Sequence, residues 1–175
     1  MSCGRLATIA SARALIADAT LPVVLEGDGI LAAAWRAEGA GPQLRPRGRP
    51  TVITPHDGEF SLLAGHTPGT DRVAAARSLA ADLDVVVLLK GPSTVVAAPG
   101  GAVLVVDHGD ERLATAGSGD VLAGMIGALL ASGVAPERAA AGAAWLHADA
   151  ALRGPRRGLL AGDIVDLIPS AIEAL

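Results

Sequence analysis

The chain is poor in the side chains that many binding proteins are built on. It has no tyrosine, one phenylalanine and two tryptophans, so aromatics are 2 % of 175 residues. A stacking platform for single-stranded nucleic acid needs several exposed rings, and that class is excluded. Positive charge is not in excess either: 14 Lys and Arg stand against 18 Asp and Glu, a net charge of −4. The basic footprint of a phosphate-backbone binder is therefore missing. Cysteine occurs once, at Cys3, which rules out an internal disulfide, and no Cys/His cluster has zinc spacing. Long apolar runs are lacking too. The most continuous, Val121–Ala131, is interrupted by Gly124 and Gly127. It has about half the roughly 20 residues needed to cross a bilayer. The first residues carry Arg5 but no continuous apolar core of a signal peptide. Together these absences lead us to expect a soluble protein of the reducing cytoplasm, with neither nucleic acid nor membrane as partner.

What the sequence does have is small apolar residues. Apolar types make up 51 % of the chain, and glycine alone accounts for 22 residues. The core must come from Ala, Val, Leu and Ile, which suits close packing of helices on a sheet. The length suffices for a real core, and no repeat, low-complexity tail or domain boundary interrupts residues 1–175. A single domain is expected.

Apolar periodicity outlines the elements. Ile9, Ala12, Ile16 and Ala19 recur at helical spacing within Ala7–Ala19. Leu21–Leu25, Thr51–Thr54 and Asp84–Lys90 are short apolar runs of the kind found in buried parallel strands. The last of them, with Val85-Val86-Val87-Leu88-Leu89, is the strongest. Val95–Ala98 and Ala102–Val106, separated by Pro99-Gly100-Gly101, read as an antiparallel hairpin. Helices are expected over Ile30–Ala37, from a cap at Asp57 to Ala64, and over Asp71–Leu83 with Val73, Ala76, Ala80 and Leu83 inward. Further helices are expected over Val121–Ala131 as a buried segment, Glu137–Arg153 opened by Pro136, and Ala161–Leu175 with Ile164, Leu167, Ile168 and Ile172 inward. Strands alternating with helices define an α/β fold: a mostly parallel central sheet, helices on both faces and an antiparallel edge. Glu38–Pro50, where Arg45, Arg47 and Arg49 alternate with Pro and Gly, reads as a solvated connection; phosphate binding by those arginines is the alternative.

Candidate chemistry collects at the strand ends, where open α/β sheets bind their ligands. Glu26-Gly27-Asp28-Gly29 follows the first strand, and capping a helix is the plain role for Asp28. His56 falls between the second strand and the next helix, which suits a substrate contact; a surface histidine is the alternative. Lys90-Gly91-Pro92-Ser93-Thr94 closes the third strand. It offers phosphates a cation and hydroxyl donors, unless the lysine simply reaches solvent.

The stretch Thr115-Ala116-Gly117-Ser118-Gly119-Asp120 is the most informative. Gly117 and Gly119 permit backbone angles that side chains forbid and let a ligand come close to the main chain. The unpaired amides of a helix start, around Gly117, Ser118 and Gly119, make an anion hole. Asp120 would repel a phosphate there. A base that takes a proton from a hydroxyl as a phosphoryl group arrives resolves the conflict; an Asp cap is the alternative. His147 has nothing near it in the sequence to give it a task and reads as structural or exposed.

Four segments together resemble the ADP-dependent NAD(P)H-hydrate dehydratases, a branch of the ribokinase-like fold. They are Leu25–Ile30, Thr54-Pro55-His56-Asp57-Gly58-Glu59-Phe60, Leu89–Thr94 and Thr115–Gly124, with Gly158–Asp163 as a fifth. The Thr-Pro-His segment is the most specific; Gly-Ser-Gly-Asp is shared with many ribokinase-like kinases. The resemblance implies a repair enzyme acting on (6S)-hydrates of NADH and NADPH. ADP, or ATP, would phosphorylate the added hydroxyl, and elimination of phosphate would restore the cofactor, leaving AMP from ADP. By the same resemblance Asp120 would be the base and a substrate contact, and His56 would touch the hydrated substrate. Lys90, Gly91, Pro92, Ser93, Thr94 and Gly119 would hold the nucleotide, with Mg2+ bridging its phosphates. Cooperation with an NAD(P)H-hydrate epimerase is the implied partnership.

The chain departs from the pattern in three places. Glu26 stands where the family has Asp, and Ser118 where it has Thr. The family domain also begins upstream of Met1, so an N-terminally truncated domain is expected, poorly active or poorly soluble by itself unless Ala7–Ala19 swings in to cover the gap or a homo-oligomer does. The alternatives are a ribokinase-like kinase of the hydroxymethylpyrimidine or hydroxyethylthiazole type, or an inactive remnant of the dehydratase.

Overall fold

A computed structural model of the chain describes residues 3–34 and 48–175, with side chains from Thr8 to Ala33 and from Arg49 onward. The expected end of the second helix beyond Ala34, and Arg45 and Arg47 of the expected connection, lie outside the described residues.

Five short strands form one sheet in chain order: β1 (Val23–Leu25), β2 (Thr51–Ile53), β3 (Val86–Leu89), β4 (Thr94–Ala97) and β5 (Val103–Val106). β1, β2 and β3 run parallel, with Val24 beside Val52 and Val52 beside Val86. β3, β4 and β5 are antiparallel, with Leu88 opposite Val96 and Val95 opposite Val105. The Pro99-Gly100-Gly101 turn brings β5 back on β4, and Gly101 takes φ 90, which a side chain would resist. The expected mixed sheet with an antiparallel edge is thus the one observed.

Successive strand residues point to opposite faces, so a strand covered on both sides must be apolar throughout. β3 is the clearest case. Val87 and Leu89 join a core with Ile16, Ile30, Phe60 and Leu79, whereas Val86 and Leu88 join a second core with Leu122, Ile126 and Ala140. The first core is roofed by α1 (Cys3–Asp18), α2 (Asp28–Ala34), α3 (Asp57–Ala64) and α4 (Arg72–Leu83). The second is roofed by α5 (Ser118–Ala131) and α6 (Pro136–Arg153), and α7 (Ala161–Ile172) packs on the outside of α6. Pro136 occupies the first turn of α6, where its missing N–H does no harm. No described helix is long and apolar enough to cross a membrane.

Several expected faces shift. In α4 the inward set is Ala75, Ala76, Leu79, Ala80 and Leu83, and Val73 is partly exposed instead. In α7 Ile164 is buried, but Ile172 is half exposed at the helix end, while Ala171 is covered. α5 is not buried all round: Ser118, Leu122, Ile126 and Leu130 form one stripe, and Gly124, Ala128 and Ala131 face outward. Its outward residues are small, so leaving them exposed forfeits little apolar burial.

Candidate functional site

The parallel register continues past the strands and aligns their carboxyl ends. The Thr54 amide donates to Leu25 O at 3.1 Å, and the Lys90 amide to Pro55 O at 2.9 Å. Glu26, Thr54–His56 and Lys90 therefore stand side by side on one rim. Their side chains make a closed network. Lys90 Nζ lies 2.7 Å from Glu26 Oε1 and 3.8 Å from Glu59 Oε2. The Thr54 hydroxyl reaches Glu26 Oε2. Charge-assisted contacts of this kind hold more firmly than neutral ones.

His56 has a role that the sequence reading gave to Asp57. It is the N-cap of α3: Nδ1 accepts from Gly58 N at 3.0 Å and Glu59 N at 3.2 Å, and the Glu59 carboxylate accepts from His56 N at 2.9 Å. This is a reciprocal capping box with an imidazole in the hydroxyl's place. Asp57 is instead the first helical residue and pairs with Arg72 at 2.8 Å. Because Nδ1 is an acceptor, the ring proton sits on Nε2. Arg72 also reaches the Lys90 carbonyl at 2.6 Å and packs so close to Gly91 that a Cβ there would meet the guanidinium.

The Gly-Ser-Gly-Asp element opens α5 against this network. Gly117 is its left-handed N-cap at φ 86. Gly119 fits only because it lacks a side chain: a Cβ would collide with Glu26 Oε1 and lie 3.6 Å from Lys90 Nζ. The Ser118 hydroxyl turns away and donates to Leu113 O at 2.6 Å, and its amide donates to Thr115 O at 3.2 Å. Asp120 is exposed on the same first turn.

Behind the rim lies a cavity of about 640 Å³. Of the expected residues it brings together His56, Lys90, Gly91, Pro92, Thr94, Ser118 and Gly119. Gly117, Ser93 and Asp120 are beside it but not on its wall. Ser93 donates to Asp107 Oδ1 at 2.7 Å. The far wall comes from the loop His108–Ala114 and from α6. Arg112 fixes that loop, bonding Asp110 and the carbonyls of Leu152 and Gly154 at 2.8 and 3.0 Å. Hydrogen bonds from Arg112 hold the Asp110 carboxyl down at about 2. His108 stacks on Trp145 with centroids 5.1 Å apart and pairs with Asp149 at 3.3 Å.

Of the two readings of His147, structural or exposed, burial overturns the second. It is 4 % exposed, it lines the cavity, and its Nε2, itself buried, has no partner among the described residues. Burial pushes its pKa down to about 4, against a hydrogen bond to the Ser118 main chain that pulls the other way. One signal was available: His147 lies three and four residues from Ala144, Ala143 and Ala151, on the buried face of α6.

The rim thus offers a lysine, glycine-lined backbone, a helix start and a chamber with both apolar and polar walls. Such a site suits a phosphorylated ligand with an apolar head.

The comparisons agree with that chemistry. A family model described as NAD(P)H-hydrate dehydratase matches residues 4–170. A bifunctional NAD(P)H-hydrate repair enzyme of Mycobacterium tuberculosis is 52 % identical over 124 residues, 71 % of this chain and 25 % of that one. An ADP-dependent (S)-NAD(P)H-hydrate dehydratase of Neisseria meningitidis is 41 % identical over 169 residues, 92 % of this chain and 56 % of that one. A crystal structure of the ADP/ATP-dependent dehydratase of Bacillus subtilis, co-crystallized with ATP and Mg2+, superposes with TM-score 0.78 at 32 % identity, over 91 % of this chain and 57 % of that one. The chain spans between a quarter and somewhat over half the length of these relatives. Over that length, the chain belongs to the NAD(P)H-hydrate dehydratase family and has the ribokinase-like fold.

Proposed function

We propose that residues 1–175 act as one domain in the ADP-dependent dehydration of (6S)-NAD(P)H hydrate, regenerating NAD(P)H and releasing AMP and phosphate. The observation that carries this reading is the convergence of Lys90 and Gly119 on the mouth of one cavity, at the start of α5. In this assignment Lys90, Gly91, Pro92, Ser93 and Thr94 bind the nucleotide. Lys90 must exchange part of its contact with Glu26 for a phosphate, since both are anions. Gly119 leaves the main chain bare beside the phosphates. The amides of Gly119 and Asp120 have no acceptor among the described residues, and they suit a phosphoryl group in flight.

The Nε2–H of His56 faces the hydrated ring and donates to it. Asp120 takes the proton from the hydroxyl as the phosphoryl group passes from ADP to that oxygen and AMP leaves; phosphate then departs from the ring carbon while the neighbouring carbon loses a proton, which forms the ring double bond.

The described residues hold no group of three His, Cys, Asp or Glu side chains arranged for a metal. A magnesium ion shared with a nucleotide needs fewer protein ligands, taking one or two carboxylates and keeping its waters. Glu26, on the rim beside Lys90, would be the carboxylate to hold such an ion, which would neutralise phosphate charge. The bifunctional relative motivates a second proposal, that an epimerase supplies the (6S) form.

Nucleotide products separated by chromatography test the reading. The active protein should convert ADP to AMP while NADH hydrate disappears. Asp120→Asn should keep ADP binding and lose about 10² to 10⁴ in turnover. Transfer from ATP to an unrelated alcohol, without action on the hydrate, would favour a small-molecule kinase instead.

A further inference from the structure

Arg72 stands at an unfavourable place in its own helix. It is the first residue of α4, at the end whose dipole disfavours a cation. Its Nε is buried with no partner among the described residues, which costs stability. Its partner Asp57 is 60 % exposed, so that pair contributes little to the fold. The remaining contact is the one with the Lys90 carbonyl, at 2.6 Å.

That contact controls one peptide. The Lys90 amide is already held by Pro55 O at 2.9 Å. With the carbonyl held by Arg72 as well, the Lys90–Gly91 peptide cannot flip. A trans peptide points its C=O and N–H to opposite sides, so the Gly91 amide is aimed away from the guanidinium. That amide has no acceptor among the described residues, and Gly91 is on the cavity wall beside Lys90.

Gly91 carries the complementary signal. Its φ is outside the left-handed region, so the backbone angle does not demand glycine. A Cβ would come within 2.9 Å of the guanidinium carbon of Arg72. The missing side chain is the space that the guanidinium fills.

Resting on the nucleotide reading above, we infer that Arg72 is a positioning residue for phosphate binding: by gripping the Lys90 carbonyl it turns the Gly91 amide toward the phosphates of ADP, and Gly91 lacks a side chain to admit it. Lys90 brings the charge, and the Gly91 amide fixes where a phosphate oxygen sits. The same guanidinium reaches Asp57 at 2.8 Å, in the first turn of the helix that His56 caps. It thereby ties the nucleotide-binding turn to the His56 turn.

The test is calorimetric titration of the full chain with ADP, without turnover, on variants shown by circular dichroism to be folded. Arg72→Ala should weaken ADP about 10-fold, as expected for losing one hydrogen bond to a charged group. Gly91→Ala evicts the guanidinium and should weaken ADP by at least a similar factor. The two losses should not multiply. The double variant should bind ADP within about 2-fold of the weaker single variant, because either change already breaks the same contact. Arg72→Lys keeps the charge but cannot hold both partners with one ammonium. It should stay at least about 3-fold weaker than the unaltered protein. In nitrogen–proton spectra, ADP should move the Gly91 amide resonance of the unaltered protein, and move it less in Arg72→Lys. If Arg72→Ala does not fold, Gly91→Ala, Arg72→Lys and the spectra carry the test. Undiminished ADP affinity in either alanine variant, full recovery with lysine, multiplying losses or an unmoved Gly91 amide overturns the inference and leaves the nucleotide site standing. Failure of the unaltered protein to bind ADP removes the nucleotide reading itself, and this inference with it.

Discussion

Gly119 and Gly124 lie on the same helix, and the same substitution should act on them in opposite directions. At Gly124 a Cβ meets nothing within 4 Å. Alanine there gains helix propensity and loses no contact, worth about 1 kcal/mol. At Gly119 a Cβ would strike Glu26 Oε1 and come within 3.1 Å of its Cδ. The carboxylate cannot step aside without letting go of Lys90 at 2.7 Å and of the Thr54 hydroxyl. Both partners are largely covered, at 24 % and 15 % side-chain exposure, so the lysine contact is not one that solvent replaces freely. A hydrogen bond to a charged group contributes about 1.5–3 kcal/mol. Propensity returns less than about 1 kcal/mol, because Gly119 is in the first turn rather than the interior. The balance for Gly119→Ala is a loss of about 1–2 kcal/mol.

For a chain of this size each kcal/mol moves the melting temperature by about 2–4 °C. Gly124→Ala should melt about 2–4 °C higher than the parent, and Gly119→Ala about 2–8 °C lower. Calorimetric unfolding measures both. ADP titration adds a second readout, because Gly119→Ala also intrudes on the phosphate approach while Gly124→Ala does not. Two alanine variants with the same melting temperature and the same ADP affinity would refute the packing argument for Gly119.

Two further predictions concern pH. His147 has its folded pKa lowered to about 4 from an ordinary 6.5, so below pH 6.5 the unfolded chain binds a proton that the folded chain refuses. Stability should therefore fall as pH drops from about 6.5 to 4, by up to about 3 kcal/mol, and His147→Leu should flatten that slope in denaturant titrations at pH 7 and pH 4.5. A slope equal in both proteins would clear His147 of this role. Asp110, held at about 2, contributes stability that is present above pH 4 and is lost between pH 4 and 2. Asp110→Asn should start acid unfolding at a higher pH, monitored by circular dichroism, and an unchanged acid transition would count against the Asp110–Arg112 clasp.

The sheet was the most legible part of this chain because its signals are local. Val85–Leu89 is apolar at every position, and only a strand covered on both faces needs that. Helix faces were less legible, since alanine and glycine are apolar in composition yet lose little when exposed. That is why Val121–Ala131 reads as buried all round, while only every fourth residue of α5 is. Val73 is larger than Ala75, but Ala75 is among the covered residues of α4, which packs on β3 and β4, and the partner decides the face.

At the site, position along the chain located the rim, and packing decided the roles. The Pro55–Glu59 stretch contained the capping signal in the form of Glu59, three residues after His56. Asp57 drew the cap assignment because aspartate usually outcompetes histidine there. His56 prevails because Glu59 can return the bond to its amide, which it cannot do for Asp57. The network of Glu26, Thr54 and Lys90 was legible only as three separate strand ends. That one carboxylate links a hydroxyl and an ammonium follows from parallel register, which couples residues up to 64 apart. His147 shows the same dependence most sharply. Its spacing from Ala143, Ala144 and Ala151 places it on the covered face of α6, where a histidine needs two partners. The main chain of α5 supplies one of them. The second nitrogen, Nε2, is itself buried and has no partner among the described residues, so burial outweighs the one bond and holds the imidazole pKa down.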